Sequence, residues 1–228
     1  MNKSWVLYIS TFPPRECGIA TFTKELTTAM DRKFNPKLKS KLLAMNDNGS
    51  SFYDYGTKVK FQLDDRDIEA YLDLAKKINN NPTIKLINIQ HEFGIFGGEY
   101  GLYLIPFLET LEKPVVITFH SILPNPDQTR KKVVKALAKR CDAIIVMAKK
   151  AIEILEKDYE IDTKKIYCIH HGTPSIPFTA KDTKKSLGLE GKKIISTFGL
   201  LSKNKGVEHV IEALPQVVKK HPEVLFLV

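Results

Sequence analysis

The sequence is poor in cysteine and has no long apolar run. Its three cysteines, Cys17, Cys141 and Cys168, are too few, too far apart and odd in number for a disulfide framework or a zinc site. No apolar run approaches the ~20 residues of a membrane-spanning helix. The N-terminal run stops at Pro13, so no signal peptide is evident. We therefore expect a protein of the reducing cytoplasm, soluble or at most peripheral at the inner membrane surface.

Acidic residues are in the minority, with 26 Asp and Glu against 35 Lys and Arg. Solvated lysine-rich faces are the first explanation of the net charge of +9, and attraction to phosphorylated substrates or an anionic membrane is the second. One predicted helix carries much of this charge, and lipid-phosphate contact is an alternative for its face. Its basic residues are Arg130, Lys131, Lys132, Lys135 and Lys139. Basic patches interleaved with aromatics are lacking, so we expect no nucleic-acid partner.

Short apolar stretches alternate with helical patterns along most of the chain. Strands are predicted at residues 5–10, 41–45, 59–63, 86–90, 114–119, 143–147 and 166–170. Helices are predicted from near Ala20 or Thr21 to near Asp31, and at 67–79, 100–111, 128–139 and 149–159. This alternation predicts an α/β fold with a doubly wound, Rossmann-like parallel sheet flanked by helices.

A Pro- and Lys-rich stretch, residues 173–192, interrupts the pattern and is predicted to be a linker between domains. The pattern then restarts with a strand at 193–198, a helix at 207–220 and a strand at 224–228. Since a strand–helix–strand buries little apolar surface, we expect residues 193–228 to be the start of a second Rossmann-like domain, in a truncated chain.

Three polar loops follow strands of the first predicted sheet. Pro13 and Pro14 end the first strand, and Gly18 permits a close approach of the backbone to a ligand. The loop 91–98 and His120 follow later strands. Because parallel strands end at one edge of a sheet, where open α/β folds bind ligands, these loops are predicted to form a site. Free N–H groups at the helix start near Gly18 suit an anion such as phosphate.

Several segments, in this order, resemble the retaining group-1 glycosyltransferases, glycosyltransferase family 4, which have the GT-B fold. The first three are PPxxxGIATF after the first strand, QHEFGIFGG after a middle strand, and ITFH after a later one. CDAIIVMAKKAIEIL, KIYCIHHGTP and STFGLLSKNKGVEHVIEALPQV are similar to later segments of the family.

This resemblance implies two Rossmann-like domains with the active site in the cleft between them. Residues 1–172 would be the acceptor-side domain, and residues 193–228 would begin the domain that binds the nucleotide-diphosphate sugar. The implied activity is sugar transfer, with retention, to a sugar, lipid-linked or other hydroxyl acceptor, without cofactor or metal. The family's acidic pair near the donor would lie beyond Val228, so we expect residues 1–228 to be inactive alone.

The resemblance also implies roles for individual residues. His120 would be the catalytic residue near the transferred sugar, and four residues would approach the donor and its diphosphate: Gly18, Gly199, Lys205 and Gly206. Lys203 is the weaker phosphate candidate, and Leu200 stands where the family often has arginine. Acceptor-side loop contacts would come from Arg15, Cys17, His91, Glu92, Gly97 and Gly98.

Alternatives remain open for the residues and for the function. His120 could cap a strand end structurally, and His91 and Glu92 could serve either acid–base chemistry or loop packing. His170 and His171 lack further ligands at metal-binding spacing and are interpreted as hinge residues. A nucleotide-sugar epimerase, a sugar phosphorylase and a non-catalytic sugar-binding domain are the alternative functions.

Overall fold

The computed structural model describes residues 4–47, 53–173, 183–199, 201 and 205–228. The chain divides into two units, Met1–Gly172 and Thr173–Val228, which are described separately below.

Seven strands of the first unit's described part form one sheet, in which every neighbouring pair is parallel. They are β1 (Ser4–Ser10), β2 (Leu38–Asn46), β3 (Val59–Asp64), β4 (Ile84–His91), β5 (Val115–Phe119), β6 (Ala143–Val146) and β7 (Ile166–Cys168). The order β3-β2-β1-β4-β5-β6-β7 places the reversal of the winding between β1 and β4. The prediction of a doubly wound parallel sheet is confirmed.

Over the same described residues, five helices lie between these strands in the sequence: α1 (Gly18–Phe34), α2 (Ile68–Asn79), α3 (Leu104–Thr110), α4 (Gln128–Arg140) and α5 (Lys149–Lys157). Side chains cap three of them, because the first N–H groups of a helix have no partner within it. Asp67 and Asp127 accept from the backbones of Ala70 and Arg130, and Cys17 does so less conventionally with its sulfur.

Alternation along the strands assigns the helices to two faces of the sheet. Leu7 and Ile9 of β1 belong to the large core, to which α2, α3, α4 and α5 also contribute buried side chains. Val6 and Tyr8 point to the opposite face, where Leu26 and Met30 of α1 pack beside them. We call this second side of the sheet the α1 face.

The predicted helix 100–111 is wrong over its first part. A 3-10 turn, Glu99–Gly101, precedes α3, which begins only at Leu104. The reason is backbone conformation, since Tyr100 (φ 57°) and Gly101 (φ 84°) lie in the left-handed region. Other predicted bounds differ at their ends. Helix α1 starts at Gly18, β2 starts at Leu38, and β7 ends at Cys168.

In the second unit, the strands β8 (Lys193–Ser196) and β9 (Val224–Leu227) pair in parallel, as their strand–helix–strand pattern predicts. The helix α7 (Val207–Lys220) connects them. A short helix, α6 (Thr183–Ser186), lies inside the segment predicted to be a linker. The rest of that segment up to residue 182, apart from Thr173, lies outside the described residues.

Candidate functional site

Side chains of the loop after β1 hold it in place through hydrogen bonds and an ion pair. The Cys17 sulfur accepts from the Ala20 backbone at 3.4 Å and lies 3.1 Å from the Thr11 hydroxyl. Arg15 donates to the Met45 carbonyl at 3.2 Å and lies 3.5 Å from a carboxylate oxygen of Asp47. Arg15 therefore ties this loop to the end of β2.

Gly18 begins α1 at the end of this loop. A Cβ placed there would have no described atom of the protein within 4 Å. Packing against the described residues therefore does not explain the glycine, and open space is what a close-approaching ligand would require. The predicted approach of Gly18 to a donor sugar is compatible with this geometry and stays a prediction.

His120 follows β5 at the same edge of the sheet. Its Nε2 lies 2.9 Å from Oε1 of the buried Gln90, and its ring meets the edge of Phe22 at 4.8 Å between centroids. The Phe22 ring also lies 5.0 Å from that of His171. Burial, with a smaller effect of the His171 charge, lowers the pKa of His120 to about 4. At neutral pH the ring is uncharged and can hydrogen-bond a hydroxyl group.

Glu92 links the loop after β4 to the loop after β5. One carboxylate oxygen accepts from the Ser121 hydroxyl at 2.6 Å, and the other accepts from the Phe93 backbone at 2.9 Å. The carboxylate is thus engaged in ordering both loops, as the packing alternative predicts.

His91 occupies the opposite face from His120, inside the large core. Its ring stacks on Phe96 at 5.7 Å and meets the edges of Phe93 and Phe119. Within the described part of the chain, neither ring nitrogen has a hydrogen-bond partner of normal geometry. Burial lowers the pKa of His91 to about 4, a shift that the Tyr100 backbone opposes. The ring is fully buried, so it has no access to a substrate proton in this structure, which favours the packing alternative.

The two glycines at the end of the loop 91–98 are accounted for by their surroundings. A Cβ at Gly97 would overlap the Asp65 carbonyl and the Tyr103 ring. Gly98 has a φ of 75°, which side chains rarely tolerate. Acceptor contact at these positions stays a prediction.

In the second unit, three predicted donor residues lie within one βα turn. Gly199 (φ 118°) follows β8, and Gly206 (φ 63°) is the N-cap of α7. The Lys205 ammonium lies 4.0 Å from the position of a Cβ on Gly199. A cation beside free helix N–H groups suits an anion such as a diphosphate. Leu200 and Lys203 lie outside the described residues.

Sequence reasoning missed Gln90 and the ring contacts of Phe22. A signal existed for Gln90, since it is one of two polar residues in the predicted strand 86–90, which precedes a proposed site. Its role depends on contacts with Asn88 on the same strand and with Thr118 on the neighbouring strand β5. Such contacts depend on strand register, which the sequence does not display.

Over the described ranges, no group of three or more His, Cys, Asp or Glu side chains could hold a metal ion. No helix there is long and apolar enough to cross a membrane.

Comparison with protein families gives a match to the model described as Glycosyltransferase Family 4, over residues 18–175. Spore coat protein SA of Bacillus subtilis (strain 168) is 40% identical over 47 residues, which are 21% of this chain and 12% of that protein.

Solved structures match over nearly the whole chain. HepE (Alr3699) of Anabaena, in complex with UDP and glucose, matches with a TM-score of 0.68 and 17% identity, over 98% of this chain and 60% of HepE. A glycosyltransferase from Rickettsia africae ESF-5 matches with a TM-score of 0.64 and 12% identity, over 99% of this chain and 68% of that protein. At these identities the likeness shows a shared fold.

Proposed function

The chain belongs to glycosyltransferase family 4, and from this premise we propose that it takes part in retaining transfer of a sugar from a nucleotide-diphosphate sugar to a hydroxyl acceptor. The observation that carries this proposal is the position of His120 at the carboxyl edge of the sheet, where α/β folds bind ligands, with its ring held beside Gln90. HepE is recorded with UDP and glucose, which supports a nucleotide sugar as the donor.

In the proposed reaction, the bond between the sugar C1 and the diphosphate oxygen breaks, and the nucleotide diphosphate leaves with the electron pair. The acceptor oxygen forms a bond to C1 on the same face of the sugar, and its proton passes to the departing diphosphate. His120 would hydrogen-bond a hydroxyl of the transferred sugar, and Gly18 would allow the sugar to approach the loop. These roles are positioning roles.

Lys205 and the amides near Gly206 would offset the charge that develops on the leaving diphosphate. No metal is needed for this step, because a lysine ammonium and helix N–H groups supply the stabilisation. Residues 1–172 would provide the acceptor side and the unit that begins at Thr173 the donor side. The acceptor would be a sugar, a lipid-linked group or another hydroxyl compound.

The chain spans 12% of spore coat protein SA and 60% of HepE. We propose that residues 1–228 do not complete transfer alone, because most contacts to the nucleotide would have to come from other residues. Measurable sugar transfer by this chain would refute that part of the proposal.

The test is a donor panel, offered with hydroxyl acceptors to the 228-residue chain and to a chimaera in which HepE supplies the remaining 40% of its length. We expect the chimaera to form a glycoside with the donor's anomeric configuration, measured by NMR. His120→Ala should lower the rate about 100-fold, as loss of a positioned hydrogen-bonding group does. A product of inverted configuration would contradict retention.

The same assay separates the other candidate functions. An epimerase would alter the donor without any acceptor, and a phosphorylase would require inorganic phosphate. A non-catalytic sugar-binding domain would give no product, and its sugar binding would be indifferent to His120→Ala.

A further inference from the structure

A chain of polar side chains crosses the α1 face beneath His120. Asn88 and Gln90 lie two residues apart on β4, and Thr118 and His120 lie two residues apart at the end of β5. The register pairs Gln90 with Thr118, so strand alternation places all four side chains on one face. Polar groups buried at this position require partners, since each unpaired group costs free energy.

Gln90 is the central member of this chain and is fully buried. Its Nε2 donates to Asn88 Oδ1 at 2.5 Å and lies 3.5 Å from the Thr118 hydroxyl. These contacts leave Gln90 Oε1 directed at Nε2 of His120, at 2.9 Å. An amide oxygen only accepts hydrogen bonds, so the imidazole nitrogen that faces it must carry the proton.

We propose that Gln90 is a positioning residue that holds His120 in the Nε2–H tautomer, so that its Nδ1 lone pair accepts a hydrogen bond from a hydroxyl of the bound sugar. The sugar in this proposal rests on the proposed function. The Phe22 ring edge restricts rotation of the imidazole from another side. Among the described residues, Nδ1 has no hydrogen-bond partner and is free to accept one.

The test is NMR of the ¹⁵N-histidine-labelled 228-residue chain, which needs no donor or turnover. His120→Ala identifies the His120 signals among those of the six histidines. We expect the wild type to show a single Nε2–H tautomer with a slowly exchanging proton. In Gln90→Leu, the proton should populate Nδ1 measurably, and Nε2–H exchange should rise about fivefold, the factor of one net hydrogen bond.

Two further variants serve as a matched control and as a rescue of the hydrogen bond to His120. Gln62→Leu makes the same change on β3, where Gln62 contacts Asn46, and should leave the His120 signals unchanged. Gln90→Glu keeps an acceptor oxygen toward His120, while the Asn88 amide can rotate to donate to its other oxygen. It should restore the single Nε2–H tautomer even if Gln90→Leu folds poorly.

The proposal would be overturned if a folded Gln90→Leu variant kept the wild-type tautomer and exchange rate. It would also be overturned if the proton in Gln90→Glu were distributed between the two ring nitrogens of His120.

The chimaera gives a separate test, in which Gln90→Leu should lower the transfer rate constant at saturating donor. If His120→Ala abolishes transfer and Gln90→Leu does not change it, the positioning role falls and the proposed function stands. If no variant transfers sugar, the proposed function falls, and the NMR result still decides what Gln90 does.

Discussion

His91 and His120 have different surroundings because they lie on opposite faces of the neighbouring strands β4 and β5. His91 ends β4 and points into an aromatic cage, whereas His120 follows β5 and points to the α1 face. The pKa of each is lowered to about 4, with burial as the main cause. The same residue type therefore serves core packing in one place and an edge site in the other.

His91 should make the sheet sensitive to acid. The unfolded chain takes up a proton near pH 6.5, whereas the folded ring stays neutral down to about pH 4. The unfolded state thus binds more protons in this window, and stability falls as the pH is lowered through it. The expected loss from His91 is about 3 kcal/mol.

Urea unfolding followed by Trp5 fluorescence, at several pH values between 4 and 6.5, checks this expectation. Between pH 6.5 and pH 4, the free energy of unfolding of His91→Leu should fall by about 3 kcal/mol less than that of the wild type. His170→Leu, at an exposed position, is the matched control. Equal losses in wild type and His91→Leu would contradict the assignment.

Replacement by alanine should have different effects on the free energy of unfolding at Gly97 and at Gly18. Gly97→Ala should lower the free energy of unfolding by about 2 kcal/mol, because its Cβ would overlap the Asp65 carbonyl and the Tyr103 ring. Gly18→Ala should be neutral or stabilising by up to about 1 kcal/mol, since it starts a helix in open space.

Urea titration compares their stabilities, and the chimaera compares their transfer rates. We expect Gly18→Ala to lower transfer without a loss of stability. A folded Gly18→Ala variant with full transfer activity would remove Gly18 from the site.

At the scale of single elements, α4 carries the basic residues for which contact with lipid phosphates is an alternative. Its apolar side chains are buried in the large core, so this face is not free to enter a bilayer. Lys131 and Lys135 pair with Glu160 at 2.7 and 2.8 Å. These two lysines lower the pKa of Glu160 to about 2. Any attraction to anionic lipid would be electrostatic and opposed by Glu160.

Glu160→Gln should strengthen binding to vesicles of phosphatidylcholine and phosphatidylglycerol about fivefold, because it leaves two lysines unpaired near the surface. Co-sedimentation at increasing salt measures this, and binding should fall as surface charges are screened over about 8 Å. Glu156→Gln, on the exposed side of α5, changes the net charge equally and serves as the control. Equal binding by both variants would show that the lysine pair has no special role.

At the scale of the whole molecule, the described part of the first unit contains a seven-stranded sheet, and that of the second contains a two-stranded sheet. The seven strands and the large core lie entirely within Met1–Gly172. In the described part of the second unit, two strands pair and one long helix is present, and no residue of that helix is buried. Two strands and a helix are marginal as an independent structure.

A chain ending at Gly172 should therefore keep a cooperative unfolding transition, because the seven-stranded sheet and the large core belong to the first unit. Its free energy of unfolding should lie within about 1 kcal/mol of that of the full chain. Trp5 fluorescence reports this transition, because Trp5 packs against the large core. Residues 173–228 alone should show no cooperative transition by circular dichroism. Loss of the Trp5 transition on truncation would show that the first unit depends on the second.

Much of the fold could be predicted because hydrophobic periodicity is a local property. The stretches LINIQ and AIIVM were recognisable as buried strands, and their alternation with helices predicted the parallel sheet. The start of α3 could not be predicted, since Tyr100 has a left-handed backbone conformation and its hydroxyl contacts Asp127 and Arg130, about 30 residues further along the chain.

The sequence by itself determined the fold class, the family resemblance and the loops that end at one edge of the sheet. These follow from patterns within short segments and from their order. Only the tertiary structure decided that His91 is a core residue, that Gly97 is a packing glycine and that His120 has Gln90 as its partner. The physical reason is that burial and hydrogen bonding depend on strand register and face, which bring together residues about 30 positions apart.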